Sequence, residues 1–229
     1  MTTDSSILDR YCLVTVGATV GFEELTKQVL QPAFWQFLSS KGFTELHIQC
    51  GPDISWASAI FSDQKGKLPQ GFQIDVFDVK NNLMKDEMVL CQARAGERAE
   101  GLVISHAGTY QQRRMLHKTH PYETPGTGTI LDAWKMGLPL VVVPNTSLLN
   151  DHQTEMAKHL MKQGYATMSS TDRLDLQEAI HKAVLLWEEN KTTRWPAHKV
   201  EGTKKEALRL WDIKPGEVQK EEISHMAHD

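Results

Sequence analysis

The chain predicts an α/β fold, a Rossmann-like parallel sheet with helices on both faces. Short β-rich runs alternate with helical runs along the first 190 residues. Several of those runs, LVIS at 102–105 and LVVV at 140–143 among them, are apolar without a break. Glycine-rich turns follow the first and fourth of them. A strand apolar on both sides must be covered on both sides, which is the condition of a parallel sheet between two helical layers. Right-handed crossovers then make the arrangement doubly wound.

The first strand covers 11–17. A helix follows over 22–40, where Phe22, Leu25, Val29 and Leu30 recur at helical spacing. A second strand at 45–50 leads to a short helix at 54–61 and a loop at 63–71. The third strand, 73–77, precedes a helix at 84–95. The fourth strand, 102–105, precedes a helix at 129–136, and the fifth covers 140–143. A helix at 153–162, a strand at 165–168 and a helix at 174–190 close the series. Residues 1–190 therefore form one domain. Beyond it KTTRWPAHKVEG is a connector, residues 203–211 form a further helix carrying Ala207, Leu208, Leu210 and Trp211, and the end of the chain is a disordered tail.

Composition narrows the function. A net charge of -4 gives no basic footprint for DNA or RNA, so no nucleic-acid partner is expected. Cys12, Cys50 and Cys91 have no metal-ligand spacing, and Cys12 and Cys50 sit in strand-like runs, so buried reduced thiols are expected rather than disulfides. The N-terminus carries acids and no apolar stretch, and no run has the length of a membrane span. These features predict a cytosolic chain that meets a membrane only through a partner.

Ligands of an open parallel sheet bind outside the carboxyl ends of its strands. Two loops fit that place. The first, VGATVGFEEL at 16–25, joins the first strand to its helix and offers Gly17, Ala18 and Thr19 to a ligand. Its glycines permit close backbone approach, and a helix N-terminus presents free N–H groups. The loop lacks both G-x-G-x-x-G and P-loop spacing. The second loop is interrupted. GLVISHAG at 101–108 and GTGTILDAWKMGLPLVVVPN at 126–145, read without the intervening TYQQRRMLHKTHPYETP, form a strand, a glycine loop, a helix and a strand. Such a unit holds a nucleotide diphosphate.

The ordered set SHAG, GTGTILDA, GLP, VPN and LLNDHQTEMA resembles the donor-binding half of family 28 glycosyltransferases, one half of a GT-B enzyme. VTVGAT at 14–19, IDVFD at 74–78 and NDHQ at 150–153 agree with it in order. Within that family the chain is most similar to the soluble catalytic subunits of the two-part UDP-GlcNAc transferase of asparagine-linked glycosylation. They correspond to the C-terminal half of the bacterial enzyme MurG. The resemblance extends over about 11–190.

It implies that Asp132 holds the ribose hydroxyls. The diphosphate would lie on the helix N-terminus near Gly108, Gly126, Thr127, Gly128 and Thr129, Asp151, His152 and Gln153 would face the sugar, and Asn145 is a further substrate-binding candidate. His106 is a candidate for ligand contact or catalysis. No Asp-x-Asp is present, so neither metal nor other cofactor is expected, and helix-dipole and N–H stabilisation of the leaving UDP is the consistent mechanism. The resemblance also implies a membrane-anchored partner subunit that binds a dolichol-linked acceptor at the cytoplasmic face of the endoplasmic reticulum, docked through the 203–211 helix. The general base is not identified on this chain. Other readings stay open: Asp132 as a first-turn acid, Asn150 or Asp151 as a helix N-cap, and Trp134 and Met136 as packing.

Removing residues 109–126 restores SHAGTGT. Two explanations of these eighteen residues are consistent with the sequence. The codons permitted at Gly108, Thr109 and Pro125 allow splice signals that would excise the segment in frame and rebuild one glycine codon. Alternatively the segment is a basic loop, with Arg113, Arg114 and Lys118, that reaches an anionic surface or a partner.

Overall fold

The computed structural model describes residues 8–18, 20–107, 127–146 and 152–193, all within the unit Met1–Trp195. Six strands form one parallel sheet: β1 (Tyr11–Thr15), β2 (Glu45–Gln49), β3 (Gln73–Phe77), β4 (Leu102–His106), β5 (Leu140–Val143) and β6 (Thr167–Met168). Their order is β3-β2-β1-β4-β5-β6. The helices are α1 (Glu23–Val29), α2 (Pro32–Ser40), α3 (Ile54–Gln64), α4 (Leu83–Asp86), α5 (Thr127–Lys135), α6 (His152–Lys162) and α7 (Arg173–Thr193).

Strand alternation divides the core between the two faces. Cys12 and Val14 of β1, Leu102 and Ile104 of β4, and Val141 and Val143 of β5 pack with Leu25, Trp35, Ile180 and Ala183, so α1, α2 and α7 cover one face. Leu13, Val103, Leu140 and Val142 point the other way, onto Met88, Ile130, Ala133 and Ala157, so α5 and α6 cover the second. The predicted doubly wound sheet is the one observed.

Several boundaries differ from the sequence reading. The single helix expected over 22–40 is two helices, because Gln31 before Pro32 is extended (φ -79°, ψ 135°) and Pro32 opens α2. The loop expected from residue 63 begins later, since α3 reaches Gln64 and a 3-10 turn follows at Lys65–Lys67. The helix expected over 84–95 is only α4 and a 3-10 turn at Met88–Cys91. Glu87, between them, turns its carboxylate inward to His47 and Lys80. β6 is two residues rather than four, and α7 runs to Thr193.

All three cysteines are free and buried, as the strand-like runs predicted for Cys12 and Cys50. Among the described residues no helix is long and apolar enough to cross a membrane. The helix expected at 203–211 and the tail lie outside the described residues.

Candidate functional site

Sequence order marches outward from β1 through β2 to β3, and the chain then returns to place β4 on β1's other side. Thr15 pairs with Ser105 at the carboxyl end of this β1–β4 contact. The connections after β1 and β4 therefore leave in opposite directions, which opens a crevice where ligands of doubly wound sheets bind. The interrupted glycine loop of the sequence begins there.

His106 ends β4 and lies against Gly17 of the β1 loop. Gly17 has φ 95°, and a Cβ placed on it would come within 2.9 Å of His106 Cε1. Only glycine tolerates both the left-handed backbone and that imidazole. Burial pushes the His106 imidazole down to about 4, against a hydrogen bond to the Thr15 backbone that favours its charged form. Near neutral pH the ring is uncharged. Below it, Thr15 Oγ1 donates to Ser105 Oγ (3.2 Å), and Ser105 Oγ donates to the His106 carbonyl (3.1 Å).

A second layer supports Gly17. Gly51, just past β2, has φ 53°, and a Cβ there would overlap the Gly17 carbonyl oxygen. Asp53 fills the space beside Gly21, its Oδ2 occupying the place a Gly21 Cβ would take. That oxygen is buried with no hydrogen-bond partner among the described residues. The sequence reading does not single out Gly51 or Asp53. The glycine of CGPD at 50–53, directly after a β-rich run, is the available signal.

On α5, no described residue comes within 4 Å of where a Cβ on Gly128 would stand. Asp132 is half-buried, and its Oδ1 lies 3.7 Å from Lys135 Nζ one turn on. Trp134 packs edge-on to Tyr165 (5.4 Å between centroids), and Met136 lies against the α5-side core, so both are packing residues. Past β5, the buried Asn145 N–H donates to Gln153 Oε1 at 2.9 Å, tying the strand end to α6.

The structure thus brings His106 to Gly17 and Asn145 to Gln153. Ala18, Gly128, Thr129 and Asp132 sit on the loop and helix that flank the crevice. Thr19, Gly108, Gly126 and Asp151, and the side chains of Thr127 and His152, lie outside the described residues. An apolar depression lined by Arg10, Phe37, Phe43 and Ile180 is at the amino ends of the strands, away from the crevice.

Residues 125–210 match the glycosyltransferase family 28 C-terminal domain. That match starts where the segment interposed in the glycine loop ends. Over 189 residues the chain is 34% identical to the UDP-N-acetylglucosamine transferase subunit ALG13 of Cryptococcus neoformans, spanning 76% of this chain and 84% of that one. It is 30% identical over 173 residues to the subunit of the same name from Saccharomyces cerevisiae, spanning 69% of this chain and 77% of the relative. An NMR solution structure of ALG13 is similar at a TM-score of 0.49 and 24% identity, over 82% of this chain and 88% of that one.

Proposed function

Because the chain belongs to the family of UDP-N-acetylglucosamine transferase subunits named ALG13, we propose that it is the UDP-GlcNAc-binding catalytic subunit of a two-part glycosyltransferase. Its reaction would add the second GlcNAc to dolichyl-diphosphate-GlcNAc at the cytoplasmic face of the endoplasmic reticulum. A membrane-anchored partner would recruit the chain and hold the lipid acceptor.

The observation that carries this reading is the crevice between the ends of β1 and β4, where a glycine loop backed by Gly51 faces a buried neutral imidazole. UDP would lie with its diphosphate over the start of α5, whose free N–H groups and dipole stabilise the leaving charge. Asp132 would take the ribose hydroxyls. His106 suits positioning better than proton abstraction. A ring held at about 4 is a poor base for a sugar hydroxyl, and it has already committed a hydrogen bond to Thr15. The acceptor's proton then goes to a group outside the described residues or on the partner.

One observation favours a second reading, a nucleotide-sugar-binding module without catalysis. Eighteen residues separate His-Ala-Gly from the glycines that would complete the phosphate loop. Calorimetric titration of UDP-GlcNAc into the full chain and into a variant lacking 109–126, followed by a transfer assay with the partner, separates the two. Binding and transfer by the shortened chain support the transferase. Binding without transfer by both forms supports the module. Absence of binding by either form removes the crevice as a donor site. Transcript sequence across the codons for Gly108 to Gly126 tests the splicing explanation directly.

A further inference from the structure

On the sheet half away from the crevice, His47 of β2 and Asp75 of β3 are register partners, so their side chains share a face. Glu87, 3% exposed, reaches onto that face from the turn after α4. One ligand atom from each of the three lies within 4.8 Å of the other two.

The roles of the two imidazole nitrogens are already divided. Nδ1 faces Glu87 Oε2 at 2.6 Å, while Nε2 is 3.2 Å from Glu45 Oε2. The remaining Glu87 oxygen, Oε1, is held by Lys80 Nζ at 3.0 Å. A ligating histidine commonly gives its second N–H to a carboxylate, and ligating carboxylates are themselves hydrogen-bonded. Glu45 and Lys80 stand in those two supporting places, so Nδ1 and Oε2 are the atoms left to take a cation together with the Asp75 carboxylate. Asp75 is exposed, so water has access to the open positions.

We propose that His47, Asp75 and Glu87 form a structural site for a divalent transition-metal cation, Zn2+ in the first instance. A cation with bonds of about 2.0–2.1 Å at a tetrahedral angle needs about 3.3 Å between Nδ1 and Oε2. The two groups must therefore part by about 0.7 Å, and the proton on their hydrogen bond leaves to solvent as the metal enters. An imidazole in the donor set favours Zn2+ over Ca2+ or Mg2+, which prefer oxygen alone. The site is mid-strand and away from the carboxyl ends, so its effect is to staple the edge strand β3 and the α4 turn to β2. It lies outside the proposed transfer chemistry. Sequence reading passes over it because its ligands are spread over forty residues and on three elements.

The test is ZnCl2 titration of the full chain, metal-stripped with a chelator, followed by metal analysis after dialysis. The expected result is one Zn2+ per chain with Kd below about 10 μM, a rise in Tm of several degrees at saturation, and no competition from Mg2+. Asp75→Asn changes an exposed residue and preserves the fold. It should weaken binding at least tenfold, and His47→Gln should do the same if it folds. Glu45→Gln, which touches only the supporting position, should cost about tenfold. Co2+ in place of Zn2+ should give visible d–d absorption in the native chain and none in Asp75→Asn. Failure to retain the metal overturns the proposal, and so does equal retention by Asp75→Asn, which would place the ion elsewhere. Neither result bears on UDP-GlcNAc binding.

Discussion

Acidifying the protein from pH 7 to pH 4 should remove a definable part of its stability through one residue, His106. The folded chain holds this imidazole at about 4, whereas it is ordinarily near 6.5. Between those values the unfolded chain binds a proton that the folded chain refuses, so stability falls as pH falls. The contribution is complete above pH 6.5, declines through the interval, and levels off below about 4. At about 1.36 kcal/mol for each pH unit, the loss by pH 4 is about 3 kcal/mol, a large share of the roughly 5–15 kcal/mol typical of a domain. In a unit of this size that corresponds to a Tm change of about 10 °C.

The assay is urea unfolding at a series of pH values for the native chain and for His106→Gln, whose amide still reaches a backbone partner but does not titrate. Subtraction is needed because another histidine acts oppositely. Burial alone would lower His47, but its bonds to Glu87 and Glu45 raise it overall. Its stabilisation is therefore present below pH 6.5 and is lost as pH rises through its folded value. Both proteins carry His47, so the difference isolates His106. Stability curves that run parallel from pH 7 to pH 4 would refute the buried neutral imidazole and, with it, its seat on Gly17.

Three further outcomes follow from the same geometry. Among the described residues Asp132→Ala removes a solvent-screened contact to Lys135, so Tm should hardly move, while a lost charge-assisted bond to ribose should raise the Kd for UDP by about 10- to 100-fold; an unchanged Kd takes Asp132 out of the site. Gly51→Ala forces a side chain into a left-handed backbone and against the Gly17 carbonyl, so chemical denaturation should show a loss of about 2–4 kcal/mol, and a change below about 0.5 kcal/mol would contradict the packing. Gly128→Val meets none of the described residues and should leave stability within about 1 kcal/mol, yet weaken UDP binding by crowding the backbone beneath the diphosphate; normal calorimetric affinity would move the diphosphate away from α5.

The parts of the fold that are legible in sequence are those where burial dictates residue type. LVVV over Leu140–Val143 is buried at every position, and no other local pattern admits four consecutive apolar β-formers so easily. The errors arise where a tertiary contact or a single residue overrides periodicity. Apolar spacing runs on through Pro32 because α1 and α2 bury the same face, so the break is visible only in the Gln-Pro pair. Helical spacing over 84–95 ignores the pull of His47 and Lys80 on Glu87, contacts made from elements earlier in the chain.

Site residues follow the same rule. His106 and Gly17 both stand out as strand-end loop residues, but their contact depends on β1 and β4 being neighbours, which the crossover decides. Gly51 has no motif of its own, since its role is to lie under another glycine.

Energetics also bear on the eighteen residues interposed before α5. Helix α5 is held by Ile130 and Ala133, packed with Leu13, Val103 and Ala107 in the core on its side of the sheet. Those partners all precede Gly108 in the chain. Between β4, ending at His106, and α5, beginning at Thr127, the chain passes through twenty residues; deletion of 109–126 leaves two, Ala107 and Gly108. Two residues lie within the usual range of strand-to-helix loops in α/β units. A tenfold reduction in loop length lowers the closure entropy by (3/2)RT ln 10, about 2 kcal/mol. If the shortened connection reaches without strain, the deletion variant should be more stable than the full chain by up to that amount, as read by urea midpoint at constant m-value. A loss of stability instead would mean that the segment packs as part of this unit, and would count against its being dispensable sequence.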